Sequence, residues 1–306
     1  MKAGSSTQPL RYRLAKNLLI GRRLLNGMGK KTLAGSFRTI LFHDLPEEQL
    51  PAFDRLVQHV MTTHGFITPA EAESILTGSH DPLNRRVPVL LTFDDGFQSQ
   101  ARAAREILDR YAIKAVFFLC PGLMDVPAER QQEAIARHIF DGESETSLPG
   151  SMQLLSWSEA QSLSASGHTI GSHTSFHRRL TGLGPEELQG EVAGSRELLE
   201  KRLGISVHWF AYPFGNIESI DPSSYELIRS HYEFSCSGIR GLNSNQTHPL
   251  ALLRDCMDPA SPLEYQEFVL LGGLDFYYRH RARRLETLAK RAEKDSHNKR
   301  VYRLAL

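Results

Sequence analysis

The chain has 306 residues, 36 Lys and Arg against 35 Asp and Glu, and 41% hydrophobic residues. That is enough to bury a substantial core, and it excludes a disordered, collagen-like or disulfide-stapled chain. The three cysteines, Cys120, Cys236 and Cys256, have neither paired spacing nor a C-x-x-C metal pattern, which fits reduced thiols and gives no support to a cysteine nucleophile.

The charge is unevenly placed. Residues 1–38 carry nine Lys or Arg and no acid, and 279–303 carry ten against three acids, so the remaining middle holds 17 basic and 32 acidic residues. The basic tracts lack interleaved aromatic motifs and the acidic middle would repel phosphates, so no nucleic-acid partner is expected. Leu10, Leu14, Leu18 and Leu25 recur at near-helical spacing among Arg11, Lys16, Arg22 and Arg23, predicting an interfacial helix within a basic, partly amphipathic segment 1–36. Its apolar stretch is too broken to span a bilayer or to serve as a secretory h-region. The expected location is cytoplasmic, with the helix at the inner face of an anionic membrane. Two alternatives stay open: basic ends packed on the acidic body, or an organellar transit segment.

Thr39-Ile40-Leu41-Phe42 reads as a strand that ends at His43. Val87 to Leu91 reads as a buried strand running into Thr92-Phe93-Asp94-Asp95-Gly96, and Ala101, Ala104, Ile107, Leu108 and Tyr111 then recur at helical spacing. The aspartate pair therefore stands at a strand's C-terminal end, where α/β folds build their chemistry. Adjacent carboxylates repel each other unless a cation or a proton separates their roles, so one Asp is expected on a metal and the other free as a base.

Ile113 to Leu119 is again strand-like. From Pro121 to Ser156 follows a polar insert with a loop at Asp141–Thr146, expected either to wall or cover a substrate groove or to be a solvent-exposed decoration. Trp157 after it either stacks on a sugar or is buried at a helix start. His168 to Ser172 predicts another strand and leads into His173-Thr174-Ser175-Phe176-His177. Two histidines four apart, on one helical turn or a tight loop, can face one cation, and with one carboxylate they make a zinc-type shell with room for water. After Pro185 a helix carries Leu188, Val192, Leu199 and Leu203 on one side, and Val207 to Tyr212 supplies the next strand before the Pro/Gly-shaped loop Tyr212-Pro213-Phe214-Gly215. Repeated β-α units predict a parallel sheet.

In this order the motifs resemble the polysaccharide deacetylase family (NodB homology, carbohydrate esterase family 4), whose signature runs T-F-D-D-G, H-[ST]-x-x-x-H, then R-x-P-[YF]-G. The resemblance extends from about Ile40 to about Asp258. It implies a single-domain, distorted (β/α) barrel with seven strands, a catalytic domain at 37–260, and a basic helical extension at 261–306. It also implies that Asp95, His173 and His177 hold a divalent metal and that Asp94 is the general base. Zn2+ is favoured by ligand type, with Ni2+, Co2+ and Fe2+ suited to the same shell. The backbone N–H of Phe214, or less favourably that of Tyr212, would bind the oxyanion within the substrate segment 212–215, which includes Pro213 and Gly215.

Two departures stand out. Ala211 replaces the motif's arginine, and Arg254 in Leu252-Leu253-Arg254-Asp255 is the candidate to orient Asp94 in its place, the alternative being a surface Arg beside Asp255. The usual late L-x-H segment has no good match; His43, similar to the Y-H-x-[VI] strand of permuted members, is the favoured acid and His248 its competitor. The implied activity is removal of an acetyl group from an N-acetylated sugar in a polysaccharide or lipid-linked precursor. Alternatives are a deformylase or amidase on a lipid-linked sugar or non-sugar amide, and a catalytically silent glycan-binding protein.

Overall fold

Residues 9–28, 35–78, 86–142, 148 and 152–304 are described by a computed structural model, with only the backbone described at 25–28 and 294–304. Seven parallel strands form its centre: β1 (Ser36–Phe42), β2 (Val89–Phe93), β3 (Ala115–Leu119), β4 (Thr169–Ser172), β5 (Trp209–Ala211), β6 (Phe234–Cys236) and, after the short antiparallel β7 (Asn243–Ser244), β8 (Asp255–Cys256). The order is β6-β5-β4-β3-β2-β1-β7, with β8 also on β1. The sheet curls back on itself through the segment leading into β8. Leu252 exchanges backbone hydrogen bonds with Ser235 and Ser237 beside β6, and Met257 N donates to Leu41 O of β1. This is the distorted seven-stranded barrel.

Strand parity decides which side chains enter the barrel. Leu90, Val116, Phe118, Trp209, Ala211 and Leu252 pack inside it, while Val89, Leu91, Phe93 and Phe117 face the outer helices. The Phe93 and Phe117 rings stack at 4.7 Å. Continuing that parity by two residues beyond Thr92 and Leu252 brings Asp94 and Arg254 to the barrel mouth, so two strands deliver complementary charges to one place.

The helix expected over 101–111 begins earlier, at Gln98, widens over Ala104–Leu108 and tightens at Asp109–Tyr111. The helical run from Pro185 to Leu203 buries Leu188, Val192, Leu199 and Leu203 as its spacing requires. Among its described residues the insert contains a helix at Gln131–His138. The part of its expected loop at 143–146 lies outside the described residues.

The N-terminal helical segment, Leu10–Arg13 continuing as Ala15–Met28, packs on the helix Leu263–Leu270. Tyr12 meets the Tyr265 ring edge-on at 5.0 Å and Arg22 Nε donates to Leu271 O at 2.8 Å. The long helix Asp275–Leu304 buries Leu285, Ala289 and Ala292 at helical spacing. No helix among the described residues is long and apolar enough to cross a membrane.

Candidate active site

The site lies at the C-terminal ends of the parallel strands, in a cavity of about 460 Å³ whose lining includes His43, Asp94, Asp95, His173, His177 and Arg254. Backbone conformation does much of the positioning. Among the described residues, six non-glycine residues have positive φ, and four of them, Asp95, Thr174, His177 and Phe214, belong to this site or its supporting loop. Such conformations cost free energy and persist only where the surroundings hold them.

Those surroundings are specific. Gly96 follows Asp95 at φ 76° and lets the chain turn over Leu119. Gln100, fully buried, donates to the backbone carbonyls of both Asp94 and His43, tying the ends of β2 and β1 together. The histidines come from a tight loop and not from a helix. Buried Glu191 accepts from Phe176 N at 2.9 Å, Ser175 Oγ donates to Gly190 O at 2.8 Å, and His173 N donates to Leu119 O at 2.8 Å. Neither Gln100 nor Glu191 stood out in the sequence, because a clamp on backbone carbonyls or amides leaves no spacing signature.

Asp95 Oδ1 lies 3.5 Å from His173 Nε2 and 3.4 Å from His177 Nε2. The three ligand atoms sit within 4.8 Å of one another, and Asp95 Oδ1 is buried with no hydrogen-bond partner among the described residues. Each imidazole is oriented from behind: His173 Nδ1 is 2.7 Å from Ala211 O, and His177 Nδ1 is 2.9 Å from His138 O. A carbonyl can only accept, so Nδ1 carries the proton and Nε2 turns its lone pair inward, the tautomer that a metal requires. A buried orphan carboxylate oxygen and two inward lone pairs fit a divalent cation and leave coordination positions for water or substrate. Burial alone would raise the Asp95 carboxyl; positive charge on the facing imidazoles of His173, His177 and His43 lowers it, the role a bound cation takes where the imidazoles are neutral.

Asp94 is 3% exposed and faces Arg254 through two parallel hydrogen bonds, Nη1 to Oδ1 at 2.6 Å and Nη2 to Oδ2 at 2.8 Å. Arg254 Nε donates to Ser237 O at 2.7 Å, which fixes the guanidinium plane. Burial pushes the Asp94 carboxyl up, but Arg254 first and His173 next bring it below the ordinary carboxylate range. The neighbouring Asp255 pairs with Arg38 at 2.8 Å and Arg240 at 3.6 Å, leaving Arg254 to Asp94. Ala211 is fully buried at the end of β5, and the guanidinium arrives instead from the approach to β8.

His43 lines the same cavity. Loss of solvation lowers its pKa, yet a hydrogen bond to Cys256 and the charges of Asp95 and Asp94 raise it to about 9. Cys256, like His43 exposed in this cavity, was not singled out from the sequence. His248 is elsewhere: it does not line the cavity, and its Nε2 is 3.6 Å from Glu293 on the C-terminal helix.

In the third loop, Phe214 and Gly215 line the cavity, whereas Tyr212 is buried beneath it and Pro213 does not border it. The Phe214 N–H makes no hydrogen bond among the described residues, while Gly215 N is directed at Tyr212 O at 3.3 Å. The Phe214 ring lies between the His177 ring at 5.0 Å and the Arg179 guanidinium at 4.3 Å. Ile139 and Phe140 of the insert form one wall of the cavity, just after the His138 carbonyl that orients His177. Trp157 takes no part: its indole N–H donates to Asp125 at 2.7 Å and Arg202 covers its ring.

The family profile described as polysaccharide deacetylase matches residues 83–225. The Bacillus subtilis (strain 168) protein YxkH, by name a candidate polysaccharide deacetylase, is 28% identical over 169 residues, covering 53% of this chain and 50% of that protein. The chain thus spans about half the length of this curated relative. Among solved structures, the Streptococcus pyogenes deacetylase PplD in complex with acetate superposes with a TM-score of 0.61 at 21% identity, covering 78% of this chain and 99% of that one. IcaB from Ammonifex degensii gives a TM-score of 0.57 at 21% identity, covering 78% and 97%. At these identities the two structures speak for the fold.

Proposed function

We propose that the chain is a member of the polysaccharide deacetylase family, whose profile matches residues 83–225, and that it is a metal-dependent hydrolase that removes an acetyl group from an N-acetylated sugar of a polysaccharide or its precursor. The observation that carries this reading is the convergence of Asp95 Oδ1 and two inward-facing Nε2 atoms beside Asp94, a second carboxylate held by an arginine. A divalent cation on Asp95, His173 and His177, with Zn2+ favoured by ligand type and Ni2+, Co2+ or Fe2+ suited, would polarise the acyl carbonyl and acidify a water.

The protein's own groups then divide the proton transfers. Asp94 accepts the proton of the attacking water, since each carboxylate oxygen keeps a lone pair after its bond to Arg254 and the fork prevents rotation. The free N–H of Phe214 donates to the oxyanion. His43, in its protonated form, delivers a proton to the sugar nitrogen as the C–N bond breaks, so the products are a carboxylic acid and an amine.

A finer substrate reading is favoured by one observation. A second cavity of about 280 Å³ shares His177 and Phe214 with the first and is lined by Arg137, Arg179 and Asp141, together with Arg178, which Glu187 pairs from outside at 3.0 Å. It suits a phosphate or carboxylate next to the acylated sugar, as in a lipid-linked precursor. The catalytic groups do not distinguish acetyl from formyl. Nor does a silent glycan-binding role account for a clamped base.

The test is to incubate metal-loaded protein with acetylated and formylated sugars, neutral and phosphorylated, and to measure freed acid and amine. Acetate released with matching amine is the expected result, fastest from a phosphorylated sugar. Formate alone would move the activity to deformylation. No acyl release from any substrate at full metal occupancy would overturn the hydrolase reading in favour of the silent binder.

A further inference from the structure

We infer that the N-terminal helical segment, together with the start of the C-terminal extension packed against it, forms a docking surface for an anionic lipid bilayer. The segment has two apolar faces. Ala15 and Leu19 are buried against the body, at 1% and 7% exposure, whereas Leu10, Leu14, Leu18, Ile20 and Leu24 are 68%, 43%, 40%, 51% and 65% exposed. Leu10, Leu14 and Leu18 follow one another at i, i+4 and i+8, and Ile20 and Leu24 are themselves four apart, so they stack along the helix side away from the body.

The clustering is not a scatter of surface leucines. Of the ten large hydrophobic residues exposed among the described residues, five belong to this segment and three more, Leu263, Phe276 and Tyr277, to the extension packed on it or the helix that follows. A concentration of exposed apolar side chains of this kind marks an interaction site on a protein of ordinary composition.

Charge selects the occupant. Arg11, Arg13 and Lys16 are exposed on the same segment, with Arg23 drawn to Glu267 at 3.8 Å and not counted, and residues 1–38 contain no acid, although the chain between the two basic ends is strongly acidic. A leucine-rich face rimmed by guanidinium and ammonium groups is the pattern of a helix lying in a membrane interface, where the apolar side enters the acyl boundary and the cations meet anionic headgroups. Arg22 and Arg38 are engaged inside the protein, with Leu271 O and with Asp255 and Asp275, so they are not counted toward the lipid.

The experiment is flotation of the full, metal-loaded chain with phosphatidylcholine vesicles containing or lacking 30% phosphatidylglycerol, at low and high salt. The expected result is binding to the anionic vesicles alone, at least ten-fold weaker at high salt and at least ten-fold weaker for Leu14→Glu/Leu18→Glu. Leu10→Gln/Leu24→Gln, at two leucines of the segment that are 68% and 65% exposed, should weaken it in the same direction, with thermal melting used to verify folding of each variant. No binding to anionic vesicles, or binding untouched by both folded double variants, overturns the inference. So does a concentration-dependent dimer that both variants dissolve without any vesicle binding, which would make the face a contact between copies of the chain.

Discussion

Arg254 and Asp94 meet as a bidentate pair, 2.6 and 2.8 Å long, between strands separated by 160 residues in sequence, and both groups are almost wholly buried. The arginine therefore serves two ends: it keeps a buried carboxylate ionised and it prevents that carboxylate from rotating. Arg254→Gln should lower kcat by about 100-fold or more, as expected when a reacting group loses its fixed geometry. Leaving Asp94 buried and unpaired should also cost about 3–5 kcal/mol of stability. With the guanidinium gone the Asp94 pKa rises, so the acid limb of the kcat/KM profile should move to higher pH. An unchanged acid limb in a folded variant would show that Asp94 is not the group titrating there.

The two aspartates should separate by readout. Asp95→Asn and His177→Ala should lose the bound cation, measured by elemental analysis after dialysis, because each removes one of three ligands. Asp94→Asn should retain the metal while turnover falls by orders of magnitude. Equal metal loss in all three variants would merge roles that are assigned separately above.

His43 must be protonated to serve as the acid, so activity should fall as pH rises through its pKa. The charges of Asp95 and Asp94 help hold that pKa at about 9, and a cation bound on Asp95 offsets part of this support. The basic limb of kcat should accordingly lie below pH 9 in the metal-loaded protein, and His43→Gln should flatten it. His248→Gln should leave the limb in place, since His248 contacts Glu293 and not the cavity.

Phe140 touches the cavity from an insert whose His138 carbonyl also orients the His177 ring. Phe140→Ala leaves that carbonyl in place, so metal content should stay constant while KM rises about ten-fold, the usual scale for loss of apolar substrate contact. A fall in metal occupancy instead would assign the side chain to support of the insert.

Gly215 has φ 62°, and a Cβ there would overlap Gly238 N. Gly215→Ala should destabilise the protein by about 1–3 kcal/mol and displace Phe214, so activity should fall with the metal retained. Thermal melting and turnover measured on the same samples check both halves.

Much of this site was legible from local pattern. Asp94, Asp95 and His173 stand directly after buried strands and His177 follows in the same loop, and a strand that must be buried announces where its C-terminal end emerges. His43 could be anticipated by the same logic. Arg254 was legible only as a candidate, because one chain position says nothing about which carboxylate a guanidinium will reach. Trp157, Tyr212 and Pro213 illustrate the reverse: residue types suited to sugar or oxyanion contact whose place in the fold keeps them from the cavity. The insert's polarity concealed Ile139 and Phe140, two apolar residues too few to create a periodicity.

The sequence by itself determined the repeating β-α pattern, the donor types and the strand-end positions of the candidate site residues, because burial and backbone geometry impose local periods that survive in one dimension. Only the tertiary structure decided that β8 returns beside β1, and with it that Arg254, and not Asp255, faces Asp94. It likewise decided that Ala211 and His138 carbonyls aim the imidazoles and that Gln100 and Glu191 brace the loops. The physical reason is that these are pairings between distant strands and backbone atoms, which every residue type possesses and no sequence spacing records.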